Sequence, residues 1–443
     1  MRIDKIIIKE LFGYLTHEIN IKTNERITII HGPNGIGKTI LLRMIYGLFN
    51  GNYYEIRTIP FKELTIIFND KSSLIVTKEN KDNIKHLEIH LKYQKETKSP
   101  KMLILKPVDL EHTGFPFRIL EEDIPGIEQI GQETWMYLPT QEKLSLEDVL
   151  ERFGQVLPPP RISRFPLKKG SETEWFDKIK KELSIRFIEA QRLMSFQPSQ
   201  SMKKYLRKPQ MIFAVVKYSE EIATTIQKIL SQYGSISQDL DRTFPARLVK
   251  SNTQPYDITT LQEKLKSLEE KRERLTTSSL LAKTEEMNTK DLSIDDQNRV
   301  VLSVYVDDVE KKLDVFNEIS NKIELFKQII NDRFKYKKLD LNKENGFVFE
   351  TDDGKPLSAI NLSSGEQHEL VLFYELLFKV SPNSLILIDE PELSLHVAWQ
   401  IKFLRDLDEV IKLSPFDVLI ATHSPDIIHD RWDLTVALEG TET

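Results

Sequence analysis

The chain has 443 residues, 40% of them hydrophobic, and 62 basic against 68 acidic side chains give it a net charge of -6. That length accommodates two or three domain-sized units with a substantial core, and the acidic balance argues against a protein that coats nucleic acid indiscriminately. Zero cysteines exclude disulfides, thiol nucleophiles and cysteine-ligated zinc. With no run of eighteen apolar residues and no signal-peptide pattern after Met1-Arg2-Ile3-Asp4-Lys5, the expected location is the cytoplasm.

Residues 1 to 31 read as two strands, Lys5 to Lys9 and then, after Phe12-Gly13-Tyr14, a run ending at Ile30. The stretch His31-Gly32-Pro33-Asn34-Gly35-Ile36-Gly37-Lys38-Thr39 follows, and Ile40 to Phe49 carries a helical pattern. Between about 56 and 110, short alternating segments such as Leu64 to Phe68, Leu74 to Thr77 and Leu87 to Tyr93 predict an antiparallel meander. Residues 111 to 170, with Pro116, Pro125, Pro139 and Pro158-Pro159-Pro160, read as a loop-rich connection with one helix around Ser145 to Phe153.

Ile185 to Ala190 reads as a strand that stops at Gln191. From about 211 the pattern turns helical: Leu261, Leu265, Leu268 and Leu275, and later Tyr305, Val309, Leu313, Phe316, Ile323, Phe326 and Ile330, recur near heptad spacing. Two such stretches around a polar segment predict a short antiparallel helical arm. A hairpin follows at Lys338 to Leu341 and Phe347 to Thr351, turning at Asn345-Gly346, with a second turn at Asp353-Gly354. Leu362 to Gln367 opens a Leu- and Phe-rich helix, and two buried parallel-type strands, Ser384 to Ile388 and Asp417 to Ala421, flank a helix from about Leu395 to Leu413.

Strand, glycine-rich turn and helix make residues 32 to 40 a phosphate-binding loop. Gly32, Pro33, Asn34, Gly35, Ile36 and Gly37 wrap backbone N–H groups around a polyphosphate, Lys38 reaches the β/γ-phosphates, Thr39 offers a hydroxyl to Mg²⁺, and Ile40 continues the first helical turn. The expected ligands are therefore ATP and Mg²⁺. Asp389-Glu390 ends a buried strand, where Asp389 would hold Mg²⁺ through its water shell and Glu390 would deprotonate the attacking water. His423, at the end of the other buried strand in Thr422-His423-Ser424-Pro425, would meet the terminal phosphate. Ser363-Ser364-Gly365-Glu366 has the spacing of a capping box, and a capped helix N-terminus is also an anion site. If that helix end points at the nucleotide of a second copy, two chains complete each site head to tail.

These motifs occur in an order that resembles ABC-type P-loop ATPases, in the branch of Rad50/SMC, RecF and OLD proteins. The resemblance implies an α/β head, mixed sheet with antiparallel meander, carrying an inserted α-helical lobe and short arm. The implied division is 1–190 for the N-terminal part of the head, 191–337 for the lobe and coiled-coil arm, and 338–443 for the C-terminal part. It also implies that Gln191 is the Q-loop residue near the metal and reaction, that Ser363 and Gly365 belong to the signature motif, that Leu393 to His396 form the D-loop region, and that His423 is the switch histidine.

Two features depart from the family pattern: Gly13 follows the aromatic Phe12 where relatives often carry a basic residue, and the arm is shorter than the long coiled coil of Rad50 or SMC proteins. OLD-type proteins continue into a Toprim nuclease, whereas here only a short tail follows Pro425 and any nuclease is expected to be separate. The strings Ile188 to Leu193, Leu240 to Pro245 and Ser364 to Leu370 look most like the AriA family, the stand-alone ATPases of PARIS-type anti-phage systems. That family implies a homo-oligomer that holds a separate AriB-like, Toprim-like nuclease and releases it when a phage-encoded protein is sensed. The alternative reading is a RecF-like repair ATPase clamping duplex DNA, supported by the basic cluster Lys203-Lys204-Tyr205-Leu206-Arg207-Lys208.

Overall fold

The structure, a computed structural model, describes residues 1–80, 87–95, 98–105, 120–121, 124, 126–131, 134–137, 142–153, 173–197, 210–250, 255–281 and 298–439. Pro116, Pro125, Pro139, Pro158 to Pro160, the Lys203–Lys208 cluster and the polar segment between the heptad-patterned stretches lie outside these residues. The chain divides into two compact units, Met1–Phe213 with Lys379–Thr443, and Ala214–Phe378. The sequence-based limits had fallen at 190/191 and 337/338.

The first unit is α/β. A six-stranded antiparallel sheet has the order β2-β1-β4-β5-β6-β7, built from β1 (Ile3–Leu11), β2 (Leu15–Asn20), β4 (Glu63–Phe68), β5 (Ser73–Asn80), β6 (Leu87–Lys95) and β7 (Lys98–Leu105). A separate five-stranded sheet, order β11-β17-β18-β3-β19, joins β3 (Ile27–His31), β11 (Ile185–Ile188), β17 (Leu385–Asp389), β18 (Asp417–Thr422) and β19 (Thr435–Ala437), all parallel. Every residue of β17 and β18 is buried, as expected of strands covered on both faces.

The Lys38–Asn50 helix shares one core with both sheets. Its Leu41, Leu42, Met44, Ile45, Leu48 and Phe49 pack with Ile6, Ile8, Leu64, Ile66, Leu74, Val76, Ile89 and Leu91 of the antiparallel sheet and with Leu387 and Leu419 of the parallel one. Burying those six helical side chains contributes on the order of 10 kcal/mol, so packing rather than intrinsic propensity holds this helix behind the loop.

Two readings of this unit are corrected. Residues 1 to 31 form three strands, because the chain reverses between β2 and β3 at Ile21 to Arg26, where Lys22 N–H donates to Thr28 Oγ1 over 2.8 Å. Residues 111 to 170 contain more than a loop and one helix: β8 (Ile127–Gly131), β9 (Thr134–Tyr137) and β10 (Glu142–Ser145) form an antiparallel sheet against the Leu146–Phe153 helix, around the buried Trp135. The remaining two-stranded sheet pairs β12 (Met194–Gln197) with β13 (Gln210–Phe213).

The second unit holds the Ala214–Lys250, Ile258–Thr277, Arg299–Asp314 and Asn317–Arg333 helices, the β14 (Lys337–Asn342), β15 (Gly346–Thr351), β16 (Pro356–Leu357) sheet and the Ser364–Tyr374 helix. The expected antiparallel pairing of the two heptad-patterned stretches is also corrected. Lys264–Glu310 at 2.6 Å, Lys271–Asp314 at 2.9 Å and Arg274–Glu324 at 2.6 Å ascend together, so these stretches run parallel. The antiparallel neighbour of Arg299–Asp314 is the Ala214–Lys250 helix, through Arg247–Asp308 and through Lys312–Asp241 at 2.7 Å. Heptad spacing fixes which face is apolar but not chain direction, and a third helix was available to pair.

The hairpin joins this unit because Ser219 Oγ donates to Asn345 O and accepts from Phe347 N–H, at 2.7 and 2.8 Å.

Candidate functional site

Parallel pairing sets the carboxyl ends of three strands side by side. Thr422 of β18 is opposite His31 of β3, and Asp389 of β17 is opposite Ala421 of β18. The segments leaving that edge are the glycine loop, Glu390-Pro391-Glu392 and His423-Ser424, which is where open parallel sheets hold ligands. β11 pairs Ile188 with Ile388, so Gln191 leaves the next strand at the same edge.

The loop conformation depends on glycine at two points. Gly37 has φ +96°, and a Cβ there would lie 2.5 Å from Leu11 Cδ2 and 3.3 Å from Phe12 Cε2; a Cβ on Gly32 would lie 2.6 Å from Leu438 O. Pro33, Asn34 and Gly35 form the exposed rim, while Ile36 and Gly37 are buried and Ile40 is half-buried. The Lys38–Asn50 helix begins where the loop ends, so its first N–H groups face the space the loop encloses.

Lys38 Nζ donates to Gly32 O at 2.9 Å and Pro33 O at 3.1 Å, and lies 3.2 Å from His423 Nδ1. An ammonium has only donors, so Nδ1 offers a lone pair and the proton of a neutral His423 sits on Nε2, 3.9 Å from Glu390 Oε1. Burial pushes the Lys38 ammonium below its ordinary range, against the attraction of Glu390, Asp389 and Glu392.

Thr39 Oγ1 donates to Asp389 Oδ1 over 2.8 Å. Asp389 is only 4% exposed, and burial raises its carboxyl to about 6; the Thr39 bond and Arg43 pull it down, while Glu390 and Glu189 push it up. Glu390 sits at φ +43°, its N–H donating to Ala421 O at 2.8 Å. The adjacent hydroxyl and carboxylate oxygens of Thr39 and Asp389 fit Mg²⁺, a hard ion that takes one or two protein ligands when phosphates and water complete its shell. Among the described residues no group of three or more His, Asp or Glu is arranged to hold a metal alone.

The structure thus gathers Lys38, Thr39, Asp389, Glu390 and His423. Gln191 is exposed just beyond β11. Ser363, Ser364, Gly365 and Glu366 belong to the second unit, where Ser363 caps the Ser364–Tyr374 helix in a complete capping box with Glu366. Burial favours a neutral Glu366, yet Lys337 at 2.8 Å, with the Ser363 N–H and hydroxyl at 2.9 Å, holds it below the usual carboxylate range. Leu393 to His396 form a turn in which Leu395 N–H donates to Glu392 O and Ser394 takes φ +64°, and His396 caps the Val397–Leu413 helix.

Three contributors were missed in the sequence. Buried His17 on β2 lies with Nε2 3.0 Å from Ile36 O of the loop, and burial lowers its imidazole below the ordinary range. Alternation of Leu15, His17 and Ile19 was the available signal. Buried Arg192, beside Gln191, donates to Pro391 O at 3.2 Å and Glu189 O at 3.3 Å. Glu392 accepts from the backbone N–H of His423.

The model of the AAA ATPase domain family matches residues 1–428. No curated protein matches the sequence. Similar solved structures include the Smc head domain of Pyrococcus furiosus, with an extended coiled coil and bound to the C-terminal domain of ScpA, at 12% identity, TM-score 0.36, covering 99% of this chain and 94% of that one. The SMC head domain from Thermotoga maritima is similar at 13% identity, TM-score 0.34, with coverage of 99% and 94%. Among the described residues no helix is long and apolar enough to cross a membrane. With the match spanning nearly its whole length, this chain belongs to the AAA ATPase domain family.

Proposed function

We propose that the chain binds and hydrolyses ATP as the sensor and scaffold subunit of an anti-phage defence system. The observation that carries the ATPase part is the convergence of Lys38 and His423 at 3.2 Å with Thr39 and Asp389 at 2.8 Å on one strand edge. In this reading Lys38 leaves the Gly32 and Pro33 carbonyls for the β/γ-phosphates. Mg²⁺, held through Thr39, Asp389 and Gln191, would neutralise phosphate charge. Glu390 takes a proton from water as its oxygen bonds to the γ-phosphorus and the bond to the β-phosphate oxygen breaks, giving ADP and phosphate. In the same reading the His423 Nε2–H donates to the γ-phosphate.

The capped helix end at Ser363 to Glu366 supports the second step. It would meet the nucleotide of another copy, so that ATP assembles head-to-tail oligomers. The resemblance of the three strings to the AriA family supports the third: the oligomer holds a separate Toprim-like nuclease and frees it when a phage protein is sensed.

The test uses Glu390→Gln beside the parent and Lys38→Ala, following phosphate release and light-scattering mass with ATP. Glu390→Gln is expected to bind ATP, lose about 10²–10⁴-fold in rate and remain assembled, whereas Lys38→Ala binds ATP weakly. A parent rate in Glu390→Gln removes Glu390 as the base, and a parent that stays monomeric with ATP removes head-to-tail assembly. Pull-down from the intact operon is expected to recover the nuclease. Its absence, with salt-steep ATP-dependent duplex binding, would instead favour the DNA clamp.

A further inference from the structure

The ring of His423 lies between Lys38 and Glu390 only while its backbone stays in place, and the turn after β17 supplies the restraint. Glu392 Oε1 accepts from His423 N–H at 2.8 Å and from Ser424 N–H at 3.2 Å. Ser424 adds two further ties, its N–H to Thr422 Oγ1 at 2.9 Å and its Oγ to Gln400 Oε1 at 2.7 Å, while Gln400 Nε2 donates to Leu395 O at 3.0 Å. Among these ties only Glu392 brings a carboxylate, and an acidic acceptor for backbone N–H groups is among the stronger hydrogen bonds a protein makes.

We propose that Glu392 is a positioning residue for His423. Its carboxylate clamps two successive N–H groups and so fixes the imidazole against Lys38 on one side and Glu390 on the other. Because Glu392 and Glu390 share one tight turn, with Leu393 N–H donating to Glu390 O at 3.1 Å, a shift of that turn moves the general base and the histidine together. Arg192, bonded to Pro391 O, anchors the same turn from the Gln191 side. The inference rests on the reading of His423 as the group that meets the terminal phosphate.

The test compares the full chain with Glu392→Ala, Glu392→Gln, Glu392→Asp, His423→Ala and the Glu392→Ala/His423→Ala double variant. It measures steady-state ATP hydrolysis and the NMR spectrum of protein labelled at its 9 histidines, with the His423 signals identified by their loss in His423→Ala. Glu392→Ala is expected to lower kcat about 10- to 100-fold while KM for ATP stays within about 3-fold. Glu392→Gln, which keeps an oxygen for both N–H groups, recovers most of the rate. In the double variant the Glu392 substitution adds nothing to the loss from His423→Ala.

The His423 ring signals move in Glu392→Ala, and also in Glu392→Asp, whose carboxylate is too short to reach both N–H groups. Should the alanine variant not fold, the aspartate variant carries the same expectations. An unchanged kcat, additive losses, or unmoved His423 signals overturn the proposal. A parent rate in His423→Ala refutes the phosphate-contact reading instead, and the NMR comparison still decides the tether.

Discussion

Replacing Asp389 by asparagine removes a buried charge while keeping the oxygen that Thr39 bonds at 2.8 Å. Burial raises the carboxyl from 3.8 to about 6, so the native state binds this proton more tightly than the unfolded chain does. Stability from this group is therefore full below the unfolded value and is lost as pH rises from about 4 to about 6, remaining absent above. Two pH units of preference correspond to about 3 kcal/mol, and the lost attraction to Arg43 reduces what the substitution recovers. Asp389→Asn is thus expected to stabilise the nucleotide-free, metal-free protein by about 1–3 kcal/mol at pH 7.5, with the gain fading toward pH 4.

Urea denaturation at the two pH values measures this difference. Adding Mg²⁺ with ATP is expected to reverse the ranking, because the parent gains ligand-linked stability that the variant lacks. A variant no more stable than the parent at pH 7.5, or a gain that persists undiminished in acid, would refute the reasoning.

Gly37→Ala forces a side chain into φ +96° and a Cβ to 2.5 Å from Leu11 Cδ2, so a loss of about 2–4 kcal/mol is expected together with loss of ATP-induced stabilisation. Thermal denaturation with and without ATP checks both, and parent behaviour in both contradicts the loop geometry. In the second unit, Glu369→Ala removes the carboxylate from a buried ion pair with Arg333, whose side chain is 1% exposed, at an expected cost of about 3–5 kcal/mol. Urea midpoints measure it, and a loss under about 1 kcal/mol rules out a partner-dependent buried charge.

Features that depend on local residue patterns were legible in the sequence. The glycine loop, the fully buried β17 and β18 with their apolar centres, and the Ser363–Glu366 capping box each follow from a few adjacent residues whose backbone or burial requirement is unusual. What escaped depends on tertiary partners. β2 was merged with β3 into one run because the turn between them is set by contacts such as Lys22 N–H to Thr28 Oγ1, and the buried His17 finds its partner in Ile36 O of the loop. Arg192 lies within the Ile188–Leu193 string and Glu392 directly precedes the Leu393–His396 segment, yet their roles come from backbone groups of segments distant in sequence. Helix direction was misread because parallel and antiparallel neighbours require the same heptad face, and only ion pairs such as Lys264–Glu310 reveal the order.

The placement of β3 bears on how the chain is made. Its lateral neighbours among the described residues, β18 and β19, both come from the far end of the sequence. At ribosomal speeds of about 5–20 residues per second, Ile27 to Ile30 wait roughly 20–80 seconds for Val418 to Ala421 to emerge. Throughout that interval Ile27 to Ile30 lack the strand partners they have in the finished fold, leaving an unpaired apolar ribbon open to pairing with other strand edges until β18 arrives.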